Sequence, residues 1–273
     1  MKLRTKGADR ALAAGITLLL MLFGGMAWGA YGAAAILPFV GLCAGLLLFT
    51  HLESIRRSEA AVSRLKNEAV NDFRQVESLF YVTSLLRPDP PLPDTRDGAA
   101  SPDFLKKILE LMAERRPALV VEAGSGVSTL VIAYNLKRLG GGRVVALEHD
   151  PAFAKTARDW IRLHRLEDYA SVIDAPLGAA STNGQPWYDT SALNLEAPIE
   201  MLIIDGPPAT IGQMARYPAL PVLHDRLAAN CVLLMDDGNR EDERLTAERW
   251  TTEFPEFSAE FLYLEKGAYL LRR

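Results

Sequence analysis

The sequence predicts an α/β domain with a doubly wound, mainly parallel seven-stranded sheet, preceded by an α-helical transmembrane hairpin and a helical stalk. Three observations predict it. Five short apolar runs between residues 118 and 236 each end in an acidic residue and alternate with helical patterns. A glycine-rich turn follows the first of these runs, and two almost uncharged stretches, 11–29 and 33–50, come before them all.

In chain order, residues 1–10 are basic through Lys2, Arg4, Lys6 and Arg10. Each uncharged stretch then approaches the roughly 20 residues that cross a hydrocarbon core as helix. A cleaved signal peptide would account for the first stretch alone, but the second follows after only Ala30, Tyr31 and Gly32, so 11–50 reads as a membrane hairpin. Arg56, Arg57, Arg64 and Lys66 follow it. With basic residues at both flanks, the positive-inside rule places both ends, and everything after residue 51, on the cytosolic side of the inner membrane. The bilayer is thus an expected partner. Gly24, Gly25, Gly29, Gly41 and Gly45 allow the two helices to approach closely, and Pro38 is expected to kink the second.

Composition narrows the rest. The 273 residues are 49% apolar and 23% charged, enough for a real core. The net charge of −4 arises from an acidic later chain, which argues against a nucleic-acid partner. Cys43 and Cys231 form neither a disulfide framework nor a metal-binding pair, and they fit a reducing compartment.

Residues 51–86 carry Ile55, Val62, Leu65, Ala69, Phe73, Val76 and Phe80 at helical spacing, the signature of an amphipathic stalk. Either a coiled coil, making a homo-oligomer through hairpin and stalk, or docking on the chain's own catalytic domain satisfies that spacing. The aromatic end at Phe80 and Tyr81 favours docking. The linker 87–100, with Arg87-Pro88-Asp89-Pro90-Pro91-Leu92-Pro93, ends the helix, and the catalytic domain is expected over 101–273. It opens on Ser101-Pro102 as an N-cap and first-turn proline. Strands are expected at 118–122, 143–148, 170–174, 200–205 and 231–236, with a closing hairpin at 257–265 and 267–271. Ligands of such a sheet sit at the C-terminal strand ends.

At the first strand end stands Glu122-Ala123-Gly124-Ser125-Gly126-Val127-Ser128-Thr129. Its glycines allow a tight turn and close ligand approach before a helix. It lacks the Gly-Lys-Ser/Thr ending of a P-loop and the third glycine of a dinucleotide fingerprint. Glu148 ends the second strand, placed to accept hydrogen bonds from ribose hydroxyls, and Asp174 ends the third. Asp150-Pro151 also reads as the cap of the next helix.

In this order the residues resemble class I S-adenosylmethionine (SAM)-dependent methyltransferases, over roughly residues 100–273. The resemblance implies the Rossmann-like methyltransferase fold and SAM as cofactor. It assigns Glu122, Gly124, Ser125, Gly126, Ser128 and Thr129 to the methionine part, Glu148 with His149 to the ribose, and Asp174 with Ala175 to the adenine, and it brings Asp205 alongside.

Asp205 ends the fourth strand, and Asp236 and Asp237 the fifth. Three converging carboxylates call for a cation, and an oxygen-only set suits Mg²⁺ or another hard divalent ion. The arrangement is similar to the metal-dependent O-methyltransferases of the catechol type. That similarity implies catalytic Asp205 and Asp236, a metal on Asp205, Asp236 and Asp237, and transfer to a hydroxyl of a small molecule, sugar or lipid-linked glycan. One departure concerns the base: Gly206, Pro207 and Pro208 stand where such enzymes carry a lysine, which leaves His224 as the candidate. Arg216, Tyr217 and Arg240 are candidates for acceptor binding, with Trp187 and Tyr188 on a long 178–199 loop read as a lid. Two other readings stand beside this one, a non-catalytic membrane scaffold that keeps the fold and a nicotinamide-dependent oxidoreductase.

Overall fold

The computed structural model describes residues 21–26, 28–96, 98–179 and 186–273. The basic residues 1–10 and the start of the first apolar stretch lie outside the described residues. The chain divides into two compact units, Met1–Ala69 and Val70–Arg273.

In the first unit, helical residues 21–26 and 28–31 lead into a 3-10 turn, Gly32–Ala35, and then into α1, Ile36–Leu86. Gly32 takes a left-handed φ of +59°, which glycine adopts at no steric cost. A Cβ on Gly24 would stand 2.8 Å from the Phe39 ring, so the two apolar arms approach each other there. Pro38 falls in the first turn of α1, where its missing N–H would have no intrahelical partner. The expected kink therefore has no cause. The helix runs for 51 residues without a break, so the second apolar arm and the stalk are one element, long and apolar enough at its start to cross a membrane.

The second unit begins well ahead of the expected boundary at 101 because the end of α1 belongs to it. Gln75, Ser78, Val82 and Leu86 form its buried face. Gln75 Oε1 accepts from the Asp103 N–H at 3.1 Å, and Arg74 pairs with Asp103 at 3.4 Å, fixing this face to the start of α2, Pro102–Arg115. The linker closes the strap, with Arg96 bridging Asp72 at 3.0 Å and Glu265 at 2.5 Å. Phe73, Val76 and Phe80 are 64%, 64% and 73% exposed. The end of α1 thus docks on its own domain as expected, with Lys106 over the Tyr81 ring at 5.6 Å, but through a face other than the one carrying Phe73, Val76 and Phe80. On the docked face Val82 and Leu86 join the apolar core of the domain, and Gln75 takes its hydrogen bond from Asp103.

The sheet is built from β1 Leu119–Ala123, β2 Arg143–Glu148, β3 Ala170–Asp174, β6 Ile199–Ile204, β7 Leu227–Asp236, β8 Ser258–Leu262 and β9 Ala268–Arg272. Its order is β3-β2-β1-β6-β7-β9-β8, parallel except where β9 meets β7 and β8. Alternation along each strand supplies two cores. Val120, Val144, Met201 and Val232 face α2 and α3 (Val127–Leu139), while Val121, Val145, Leu202 and Leu233 face Leu220 and Trp250. The expected seven strands are present, β2 and β3 with the ends expected and the others shifted at one end or both by one to four residues. The 178–199 segment differs: β4 Leu177–Ala179 and β5 Pro186–Tyr188 form an antiparallel pair, with 180–185 outside the described residues. Trp187 and Tyr188 are 2% and 3% exposed, so they are core, not the free surface of a lid.

The parallel register sets the site. Ala123 pairs with Leu147 and Ile204, Glu148 with Asp174, and Ile204 with Met235, so every acidic strand end emerges at one edge.

Candidate active site

The glycine loop joins β1 to α3 by two different kinds of glycine. Gly124 has φ +108°, a left-handed backbone that side chains rarely adopt, while a Cβ there would only touch the Asp205 backbone at 3.4 Å, so it is the backbone shape that requires glycine. Gly126 has an extended φ of 170°, and a Cβ there would meet nothing within 4 Å. Nothing in the fold demands a glycine at 126. The Gly126 N–H donates to Thr129 Oγ1 at 3.1 Å, and that hydroxyl donates to Glu122 Oε2 at 2.5 Å.

Glu122 is 1% exposed, and its other oxygen, Oε1, is buried without a hydrogen-bond partner among the described residues. Burial pushes its carboxyl up to about 7, against the pull of hydrogen bonds from Ser128 and Thr129, and the Asp205 and Glu148 charges add to the rise. Glu148 is held on three sides. Its Oε2 accepts from Ser125 Oγ at 2.8 Å and its Oε1 from the backbone N–H groups of His149 at 2.9 Å and Asp150 at 3.0 Å. Asp150 caps α4, Pro151–Leu163, accepting from Ala152 N at 2.7 Å. It is thus the helix cap that its place before Pro151 suggests. His149 lays its ring against Tyr188, with centroids 5.9 Å apart.

Asp174 lies beside Glu148 in register, but its side chain is 64% exposed and paired with Arg158 at 2.8 Å. Ala175 is buried, and its N–H donates to the Glu148 carbonyl at 2.7 Å.

Beside the loop, Asp205, Asp236 and Asp237 bring one carboxylate oxygen each within 4.8 Å of the others. Arg216, 4% exposed, ties them together. Its Nη1 donates to the Asp236 carbonyl at 2.7 Å, and its Nη2 to Asp237 Oδ2 at 2.6 Å and Asp205 Oδ1 at 3.3 Å. Glu243, 3% exposed, lies 3.7 Å from Arg216 Nε. Arg216 is therefore not the acceptor-binding group its position in the sequence suggested. It is an internal ion-pair centre, for which no local signal exists, since its partners come from three other segments. Glu243 escaped notice for the same reason. Tyr217 is also buried, with its hydroxyl donating to Glu253 and the Arg249 guanidinium over its ring, so it too turns away from an acceptor. Arg240 alone stays at the rim, 46% exposed and 2.8 Å from Asp237.

Neither arginine side chain reaches the Asp236 carboxylate. Among the described residues, both of its oxygens are buried without a hydrogen-bond partner. Burial holds the Asp236 carboxyl well above the ordinary range, with the charges of Asp205 and Asp237 adding to the effect. Asp205 is raised as well, by burial first, while Arg216 pulls against it. An orphaned, buried, oxygen-only group next to two more carboxylates fits a hard divalent cation.

His224 is overturned as a base. It lies in the turn before β7, and the strand's ten residues, about 30 Å of chain, separate that end from Asp236. There it pairs with Glu256 at 2.8 Å.

Comparison with known proteins agrees with this geometry. Residues 121–238 match the family model of a methyltransferase domain. No curated protein matches the chain. Among solved structures, the chain is similar to an SAH-bound methyltransferase of Podospora anserina, at 16% identity and a TM-score of 0.54, over 76% of this chain and 94% of that one. It is similar to an O-methyltransferase of Bacillus cereus in complex with SAH, at 19% identity and a TM-score of 0.54, over 75% of this chain and 96% of that one. A third is TomG of Streptomyces achromogenes, an O-methyltransferase involved in tomaymycin synthesis and solved with SAM, at 16% identity and a TM-score of 0.51, over 75% and 95%. The second unit thus has the Rossmann-like methyltransferase fold, and residues 121–238 within it match a methyltransferase-domain family.

Proposed function

We propose that this protein is a SAM-dependent O-methyltransferase, held at the cytosolic face of the inner membrane by its N-terminal hairpin. One observation carries the chemistry. The space left open at Gly126 lies on the loop that follows Glu122 and the end of β1, and β1 pairs with β6, which leads straight into Asp205 of the three-aspartate cluster. A cationic methyl donor seated in that space would face carboxylates on two sides and present its methyl group toward the cluster. Asp205, Asp236 and Asp237 would hold a divalent cation, which supplies Lewis-acid activation and orientation of the acceptor hydroxyl. The chain's own contribution is positioning. Arg216 keeps Asp205 and Asp237 in place, Ser125 and Glu148 brace the loop, and Arg240 offers a guanidinium at the rim to an anionic or sugar-like acceptor. Calorimetry with SAM and SAH, followed by identification of the methylated product in a deletion strain, tests the reading. Absence of binding by either ligand would sink it.

Glu122 adds a pH signature. Its carboxyl is raised when folded, so its contribution to stability is full below about 4.5 and is lost as pH rises through about 7. A cationic ligand beside it favours the ionised form. SAM binding near pH 7 should therefore release a proton, seen as a dependence of the calorimetric heat on buffer ionisation enthalpy, and Glu122→Gln should abolish that dependence.

Membrane anchoring rests on the hydropathy of α1 and on Arg56, Arg57, Arg64 and Lys66 beyond its apolar start. A cytosolic reporter fused after residue 51 is expected to be active. An alkaline phosphatase fusion active at the same point would overturn the topology. The exposed Phe73, Val76 and Phe80 leave a second copy of the chain as the partner we propose for the stalk, tested by cross-linking in membranes.

A further inference from the structure

Tyr188 is 3% exposed, and its hydroxyl packs against the turn that follows β6. Two contacts fix the ring. It meets Trp187 edge-on at 5.0 Å between centroids and His149 at 5.9 Å. The hydroxyl lies directly over Gly206, where any Cβ would collide with it, and that Cβ would also stand 3.3 Å from the Ala123 carbonyl. Tyr188 Oη therefore sits where β1 and β6 end, between the glycine loop and Asp205. The charges of Glu148, Asp205 and Glu122 all act on it, and burial together with those carboxylates keeps the phenol protonated well beyond its ordinary range. It remains a neutral O–H dipole among acids.

We infer that Tyr188 Oη is the contact for the sulfonium of the methyl donor, holding the charged S–CH₃ group by dipole and C–H···O attraction. The inference rests on the methyltransferase reading above. The carboxylates around the hydroxyl make its surroundings favourable to a cation, and the phenol oxygen supplies lone pairs at short range without forming a tight ion pair. On transfer the acceptor oxygen forms the new bond to the methyl carbon. The S–C bond breaks with its electron pair returning to sulfur, and the hydroxyl proton leaves to solvent. The sulfur is then a neutral thioether, and the contact weakens. Tyr188 should therefore discriminate SAM from SAH. A residue that only packs the β4–β5 hairpin would not.

The test is calorimetry on the full-length protein in detergent with SAM and with SAH as separate probes. Tyr188→Phe keeps the ring contacts and removes the hydroxyl. SAM affinity is expected to fall about fivefold while SAH affinity stays within about twofold, with an unchanged melting temperature. Gly206→Ala, which displaces the hydroxyl without removing it, should narrow the SAM preference in the same way, and it provides a second route if the first variant fails to fold. A wild-type protein that binds both ligands, with variants that shift both equally or neither, overturns this inference alone. A wild-type protein that binds neither overturns the methyltransferase reading, and this inference with it.

Discussion

Gly126→Val should abolish measurable SAM and SAH binding, a loss of at least about tenfold, while leaving the melting temperature unchanged. The unliganded fold has room for the side chain, since a Cβ at 126 meets nothing within 4 Å and the backbone there is extended. The valine would occupy the space assigned to the ligand. Gly124 provides the contrast. With φ at +108°, Gly124→Ala should lower stability by about 1–2 kcal/mol whether or not ligand is present. Glu148→Ala should also weaken SAM by about tenfold or more, the worth of hydrogen bonds to a charged acceptor. That variant frees Ser125 Oγ and the backbone N–H groups of His149 and Asp150 as well, so it should lose stability alongside affinity. Thermal melts with and without SAH separate the three. Unaltered SAH affinity in Gly126→Val would remove the cofactor assignment.

Asp236→Asn should have the second large effect, and in opposite directions with and without a divalent cation. In cation-free protein the change removes a buried carboxylate whose two oxygens have no hydrogen-bond partner among the described residues, so the melting temperature should rise. With Mn²⁺ present, the wild type should gain stability by mass action, about 2.7 kcal/mol at a hundredfold excess over its dissociation constant, and the variant should gain almost none. Asp205→Asn should lose the cation-induced gain too. It should not raise the cation-free melting temperature, because Arg216 would lose one of its partners. Manganese titration followed by paramagnetic resonance checks binding independently of turnover. A wild type indifferent to Mg²⁺ and Mn²⁺ would leave the three aspartates as an ion-pair cluster around Arg216.

The sheet was legible because its information is local. Runs such as Leu202-Ile203-Ile204 and Leu233-Leu234-Met235 are apolar on both faces, which only a strand covered on both sides tolerates. The parallel order then forces Glu122, Glu148, Asp205 and Asp236 to one edge without further information. The glycine loop was legible for a related reason, though its two glycines looked alike until the backbone angles separated them.

Other assignments depended on distance in space, and there the sequence misled. His224 reads as near Asp205 and Asp236 because it lies between them in the chain. A parallel strand returns to the opposite edge of the sheet before it starts, so the residue just ahead of β7 is as far from the site as the strand is long. Phe80 belongs to an apolar stripe, yet the buried face of α1 is the one carrying Gln75, Ser78, Val82 and Leu86, because Val82 and Leu86 reach the domain core and the start of α2 gives Gln75 a hydrogen-bond partner. Arg216 carries no mark that distinguishes a solvated charge from a buried one.

The sequence by itself determined the α/β order, the edge at which the acids gather and the loop that opens onto it. Only the tertiary structure decided which charges neutralise one another, that Asp236 is left without a hydrogen-bond partner among the described residues, and that Tyr188 closes over Gly206. Strand and helix formation follow from the period of a contiguous segment, whereas burial and pairing of a charge depend on groups that meet only when β1, β5, β6 and β7 have come together.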